Sequence, residues 1–131
     1  MRKGEDMNRY MQAAQAVALS SEGVGKSKFR VGAVLVHRRQ GIIAARCNSY
    51  KTHPALLRFT KWPHLHAEAA VILAAGFEAA RDSTIYVARI GRNGDLAMAR
   101  PCEEICIPLM RETGVRRAFF TTSNGVDCVE F

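Results

Sequence analysis

The sequence has few aromatic residues and no long hydrophobic run. Of its 131 residues, 8% are aromatic and 48% are apolar, a composition that predicts one globular domain over residues 1–131. The longest apolar stretches, such as 31–36 and 69–75, are far too short to cross a bilayer, and the first residues lack the apolar core of a signal peptide. We therefore expect a soluble, cytoplasmic protein with no membrane partner.

Cysteine is scarce, and acidic residues are in the minority. The four cysteines are Cys47, Cys102, Cys106 and Cys128. In a reducing compartment, metal binding or burial explains a pair close in sequence, here Cys102 and Cys106, better than a disulfide does. Twelve Asp and Glu against 19 Lys and Arg give a formal net charge of +7. That charge suits an anionic partner, either a nucleotide or a nucleic acid, without selecting one.

The spacing of apolar residues predicts alternating helices and strands. Apolar residues recur on one helix face between Met7 and Ala18, and Pro101 and Gly114 mark the start and the end of a later helix. The elements predicted after the first helix are a hairpin of strands 29–37 and 41–47, helix 66–80, strand 84–90, a loop over 91–100, helix 101–113, and strands 115–122 and 126–131. This order predicts a three-layer α/β/α sandwich around a mixed sheet of about five strands.

The segment between Asn48 and Leu65 has no regular period, and a loop of that length in a compact domain is usually functional. It interleaves basic and aromatic side chains directly before His66. Its cations could meet a phosphate and its rings could stack on a base, so we take His53 and Trp62 as candidate substrate contacts. The alternative is a solvated loop whose aromatic residues pack on the domain.

Two segments place metal-binding residue types at the starts of predicted helices. The segment 66–68 reads His-Ala-Glu, and the segment 101–106 reads Pro-Cys-Glu-Glu-Ile-Cys. One imidazole and two thiolates are ligands that Zn²⁺ prefers, and three protein ligands leave a fourth position for water, as in catalytic sites. The candidate ligands are His66, Cys102 and Cys106. Glu68 can then face that water, while His64 also precedes Glu68 and is an alternative ligand or loop residue.

These segments resemble the H-x-E and P-C-x-x-C motifs of the zinc-dependent cytidine and deoxycytidylate deaminase superfamily. Here three residues rather than two separate the cysteines. Positions four apart differ by about 40° around a helix, so a helix starting at Pro101 would keep both thiolates on one face. The resemblance selects His66 over His64. It implies a cytidine deaminase-like fold over about residues 6–125, one Zn²⁺ per chain, and Glu68 as the proton shuttle.

The resemblance extends to two candidate substrate contacts. Residues 27–35 look like the first strand of the free-nucleoside cytidine deaminases, in which a phenylalanine, here Phe29, lies near the pyrimidine. Asn48 is placed like the asparagine that contacts the substrate sugar across the superfamily. The family likeness also implies a homo-oligomer, a dimer or tetramer.

Three functions follow as hypotheses. The first is hydrolytic deamination of cytosine in a nucleoside or nucleotide, giving uracil and ammonia. The second is a deaminase acting on a base within RNA or single-stranded DNA, with the positive charge as the backbone-binding surface. The third is a non-catalytic, zinc-stabilised module, against which Glu68 argues because a structural zinc site needs no such carboxylate.

Overall fold

The computed structural model describes residues 3–23, 29–49 and 66–131. Within these ranges the helices and strands are α1 (Lys3–Leu19), β1 (Arg30–His37), β2 (Gly41–Cys47), α2 (Ala67–Ala75), α3 (Phe77–Ala80), β3 (Thr84–Ile90), β4 (Leu96–Ala97), α4 (Cys106–Thr113), β5 (Arg117–Thr122) and β6 (Gly125–Glu130). Among the helices of these ranges, none has both the length and the apolar character needed to cross a membrane.

The strands form one mixed sheet in the order β2-β1-β3-β5-β6, and the short β4 pairs with β3. β3 and β5 run parallel, whereas the other paired strands run antiparallel. A parallel pair needs a long crossover connection, which here contains α4. The mixed sheet expected from the sequence is confirmed. It has an additional strand because β4 lies in the segment 91–100, which we expected to be a loop.

Helices cover both faces of this sheet, because successive side chains of a strand point to opposite sides. On one face, Val34 of β1 packs against Met11 of α1. On the other face, Leu35 belongs to a larger core cluster with Ile72 of α2 and Leu109 of α4. The predicted three-layer architecture is therefore confirmed.

The packing of α1 on β1 requires a glycine in the strand. A Cβ added to Gly32 would overlap the carbonyl oxygen of Ala14 and the amide nitrogen of Ala18. Both atoms belong to the backbone of α1, which can move only as a whole helix. The helix therefore lies closer to the strand than any side chain at position 32 allows.

Two helix boundaries differ from the prediction. The predicted helix 66–80 is broken at Gly76, whose φ of 93° lies outside the helical region, so α2 ends at Ala75 and α3 is a separate short helix. The helix predicted to start at Pro101 instead starts at Cys106. The first break follows from a glycine conformation that sequence spacing does not reveal, and the second is explained with the metal ligands below.

The topology brings the starts of α2 and α4 to one edge of the sheet. At the opposite edge, the amide of Arg116 before β5 donates to Ser83 before β3, and Asp82 donates to Gly114 at the end of α4. The helix segments before β3 and β5 end at this opposite edge. The starts of α2 and α4 therefore lie at the other edge, beside the carboxyl ends of β3 and β5. Open α/β sheets bind ligands at these carboxyl ends.

Candidate metal centre and active site

His66 is positioned by the first turn of α2. It is the N-cap residue, with an extended backbone (φ −72°, ψ 147°), and its carbonyl oxygen accepts the amide hydrogen of Ala70 at 2.9 Å. Its Nδ1 atom lies 3.4 Å from Sγ of Cys106 and 3.6 Å from Sγ of Cys102. The Nδ1 side of the imidazole ring therefore lies next to both thiol groups.

Cys102 and Cys106 are joined by a wide turn and do not lie on one helix. The amide of Ile107 donates to the carbonyl of Cys102 at 2.9 Å, a hydrogen bond across five residues rather than the four of an α-helix. The amide of Cys106, the first residue of α4, donates to Sγ of Cys102 at 3.3 Å. The prediction that one helix face holds both thiolates is wrong. The wide turn accommodates the third residue between the cysteines and keeps Cys102 beside Cys106 and His66.

These three residues fit a single Zn²⁺ ion. Their ligand atoms all lie within 4.8 Å of one another. Around a tetrahedral Zn²⁺ with bonds of about 2.3 Å to sulfur and about 2.0 Å to nitrogen, a sulfur and a nitrogen ligand lie about 3.5 Å apart. The sulfur-to-nitrogen distances of 3.4 and 3.6 Å match that separation. Among the described residues, the cluster of His66, Cys102 and Cys106 thus fits one zinc site.

The two thiols differ in their electrostatic surroundings. A hydrogen bond with the Cys106 side chain, assisted by His66 and by the Cys106 amide, lowers the pKa of Cys102 to about 4. The same pairing, together with complete burial, raises the pKa of Cys106 well above its ordinary value. The hydrogen bond to Cys102 also raises the pKa of His66. The lowered pKa of Cys102 favours its thiolate, which is the form that binds zinc.

Glu68 lies in the first turn of α2, beside the ligands, and only 5% of its surface is exposed. Burial raises the pKa of its carboxyl group, while the nearby His66 and a hydrogen bond with Cys106 act in the opposite direction. A buried carboxyl group with a raised pKa is suited to accept a proton and to return it near neutral pH.

Asn48 reaches the same edge of the sheet, but its side chain is already engaged in hydrogen bonds. Its Oδ1 accepts from Oγ of Ser21 at 2.7 Å and from the amide of Val31 at 3.0 Å, and its Nδ2 donates to the carbonyl of Phe29 at 3.2 Å. The side chain is buried and ties the end of β2 to the start of β1 and to the segment after α1. The predicted contact of Asn48 with a sugar stays a prediction.

The other predicted substrate contacts divide into two groups. Phe29 lies directly before β1, at the edge where the zinc ligands lie, because β1 starts opposite the end of β3. Its contact with a pyrimidine stays a prediction. His53 and Trp62 lie outside the described residues, as does His64.

Sequence reasoning missed Arg89 at the end of β3. Its guanidinium carbon lies 4.5 Å from the ring centroid of Phe29. The signal that could have identified it is its position: Arg89 is a charged residue in a largely apolar strand, two residues after the buried Val87.

Comparisons with known proteins agree with this geometry. The model of the family described as cytidine and deoxycytidylate deaminase zinc-binding region matches residues 4–122. No curated protein matches the chain. Among solved structures, the dCMP deaminase from the cyanophage S-TIM5 in apo form superposes with a TM-score of 0.64 at 21% identity, covering 93% of this chain and 86% of that chain.

Two further structures share the fold. The cytidine deaminase from Mycobacterium tuberculosis gives a TM-score of 0.57 at 21% identity, covering 92% of this chain and 88% of that chain. Acinetobacter baumannii RibD, form 2, gives 0.62 at 21% identity, with 92% of this chain covered. This chain spans only 29% of that RibD chain. The structural likeness supports the fold, and the family match spans both metal-binding segments. The chain belongs to the family of the cytidine and deoxycytidylate deaminase zinc-binding region.

Proposed function

We propose that this chain hydrolyses the amino group of cytosine in a nucleoside or a nucleotide, releasing ammonia and leaving uracil. One observation carries the proposal: a buried carboxyl group, Glu68, lies beside a cluster in which three of the described residues fit a zinc ion. Structural zinc sites are closed by four protein ligands, whereas catalytic sites keep one position for water or substrate. A non-catalytic module would have no need for a buried carboxyl group at that position.

Zn²⁺ held by His66, Cys102 and Cys106 supplies the Lewis acidity that makes hydroxide available near neutral pH. The positive ends of the α2 and α4 dipoles favour the thiolate form of the cysteines. Oxygen from water adds to C4 of the cytosine ring, and the C4–N bond to the amino group then breaks. Ammonia leaves, and C4 becomes the carbonyl carbon of uracil.

Glu68 moves the protons of this reaction. It takes a proton from the attacking water and gives it to the ring nitrogen next to C4, and it then moves the proton of the hydroxyl formed at C4 to the leaving amine. The raised pKa of Glu68 suits this double role, because the same group has to act as a base and as an acid in one turnover. Proton transfer of this kind contributes about 10²- to 10⁴-fold to the rate.

A screen of ammonia release tests the proposal. The purified protein is assayed, with its zinc content measured, on cytosine, cytidine, deoxycytidine, their monophosphates, adenine and guanine compounds, and short RNA and DNA oligonucleotides. Release from cytosine nucleosides or nucleotides supports the proposal. Activity restricted to oligonucleotides, falling steeply with salt, contradicts it and favours deamination within a polynucleotide.

The proposal includes a single domain, a cytoplasmic location and a homo-oligomer. None of the four cysteines, all of which lie in the described residues, forms a disulfide, which supports a reducing compartment. Mass measurement by light scattering tests the assembly, and a monomer at working concentration contradicts that part of the proposal.

A further inference from the structure

Arg89 shares an edge and a face of the sheet with the zinc ligands. It lies one residue before the end of β3, where it pairs with Val31 of β1 and Ala97 of β4. Along β3, Ile85 and Val87 belong to the core cluster that also contains residues of α2 and α4. Because side chains alternate along a strand, Arg89 points to the same face, at the edge where both helices begin.

The guanidinium group of Arg89 stacks on an aromatic ring, and one of its buried nitrogen donors has no acceptor among the described residues. It lies over the ring of Phe29, 4.5 Å from the centroid. Its Nε atom is buried and has no hydrogen-bond partner in the described part of the chain, and no ion pair with a described carboxylate is found. A buried donor without an acceptor is costly, and native proteins keep few such groups outside functional sites.

The backbone around Arg89 is fixed. Its amide donates to Oγ1 of Thr121 at 3.0 Å, and that hydroxyl donates to the carbonyl of Ala97 at 2.8 Å. Thr121 is fully buried, so this network holds the strand end between β4 and β5. The charged group thus projects from a rigid position rather than from a loop.

An anion satisfies both the hydrogen-bond donors and the positive charge of Arg89, whereas a neutral acceptor satisfies only the donors. A carbonyl oxygen would satisfy an N–H group but leave the charge of Arg89 uncompensated. The planar guanidinium presents its donors in a fork that matches two oxygens of a phosphate, and stacking on a ring leaves those in-plane donors free of the ring. Arg30, Arg92 and Arg100 are exposed, whereas Arg89 is partly buried, and one partly buried cation suits one phosphate.

We propose that Arg89 binds the phosphate of a cytosine nucleoside monophosphate, so that the chain prefers the nucleotide to the nucleoside. This inference rests on the proposed deaminase function. Phe29 then serves two purposes, because it supports the guanidinium of Arg89 and lies at the edge of the site where the base would bind. Arg89 is in this way a residue that determines specificity.

The test compares Arg89→Gln with Arg92→Gln, a matched control in the exposed loop after β3. We expect Arg89→Gln to lower the ratio of kcat/KM for deoxycytidine monophosphate to kcat/KM for deoxycytidine by about 10- to 100-fold, the effect of losing a charge-assisted hydrogen bond. Arg89→Lys should recover part of the nucleotide activity. Arg92→Gln should change neither value. An equal loss on both substrates shows a structural role and overturns the inference.

A binding measurement separates this inference from the proposed function. Calorimetry with the zinc-loaded chain, deoxycytidine monophosphate and deoxycytidine requires no turnover. If the wild type binds the monophosphate more tightly than deoxycytidine, and Arg89→Gln loses this difference, the inference is supported even when no ammonia is released. The lack of ammonia release would then overturn only the deaminase proposal. Equal affinities for the two compounds, or tighter binding of an oligonucleotide than of the monophosphate, overturn the inference while leaving ammonia release to decide the function.

Discussion

Replacing Gly32 by alanine should destabilise the protein because it forces α1 away from the sheet. The added Cβ would overlap two backbone atoms of α1 and would lie 2.9 Å from Cα of Ala18, at least 0.5 Å inside the lower limit of 3.4 Å for ordinary contact. Neither backbone atom can turn away, as the tip of a flexible side chain could. The helix must shift as a unit, which loosens the packing of Met11 and Ala14 on β1 and β3.

Overpacking of this kind costs about 1–3 kcal/mol of unfolding free energy. For a chain of this length, each kcal/mol corresponds to roughly 4 °C in Tm, so we expect Gly32→Ala to lower Tm by about 4–12 °C. Thermal unfolding followed by circular dichroism on zinc-loaded protein measures the change.

Gly91→Ala is the matched control. It adds the same methyl group, but the nearest atoms lie 3.5 and 3.6 Å away, and the position has no positive φ. Its Tm should stay the same or rise slightly, since alanine restricts the unfolded chain. A Tm for Gly32→Ala equal to that of the Gly91→Ala protein would refute the close packing of α1 on β1.

Two other predictions concern single side chains. Cys106→Ala should lose both zinc and activity, since two protein ligands remain, whereas Cys128→Ala should keep both; metal analysis that finds one zinc per chain in Cys106→Ala would contradict the ligand assignment. Asn48→Ala should lower the free energy of unfolding by about 1–3 kcal/mol, because it leaves the amide of Val31 without its acceptor and leaves the hydroxyl of Ser21 only its longer bond, 3.3 Å, to the backbone carbonyl of residue 48. Urea unfolding measures this loss, and an unchanged midpoint would show that Asn48 does not hold these segments together.

The strands β1, β2 and β3 could be predicted from the sequence because the signals that identify them are local. β2 and β3 have the predicted bounds, and β1 begins one residue later than predicted. Runs of apolar and β-branched residues between turn signals are enough to identify such strands. β4 is too short to carry any such signal. It exists because Leu96 and Ala97 pair with the end of β3, a contact between distant residues.

The metal ligands could also be predicted, but not the backbone that holds them. His66, Cys102 and Cys106 were identified from residue type, spacing and family resemblance. Pro101 is a common first residue of a helix, so local preference favoured a helix start there. The structure instead keeps Cys102 in a wide turn, where its Sγ accepts a hydrogen bond from the first amide of α4. Which conformation wins depends on the approach of His66 from another helix, and spacing does not contain that information.

Arg89 shows a different limit. The sequence shows a charged residue near the end of an apolar strand, but such residues are usually solvated at the strand end. Its contact with Phe29, and the lack of an acceptor for its Nε among the described residues, depend on the pairing of β1 with β3. Neither feature can be predicted until the register of β1 against β3 is known.

The most direct test of the account measures ammonia release and zinc content together in the wild type and in Glu68→Gln. Glu103→Gln serves as the control, because Glu103 is an exposed glutamate in the turn before α4. We expect one zinc per chain in all three proteins, and ammonia release from a cytosine nucleoside or nucleotide that falls by about 10²- to 10⁴-fold only in Glu68→Gln. Full turnover by zinc-loaded Glu68→Gln, or a zinc-loaded wild type that releases no ammonia from these substrates, would contradict the account.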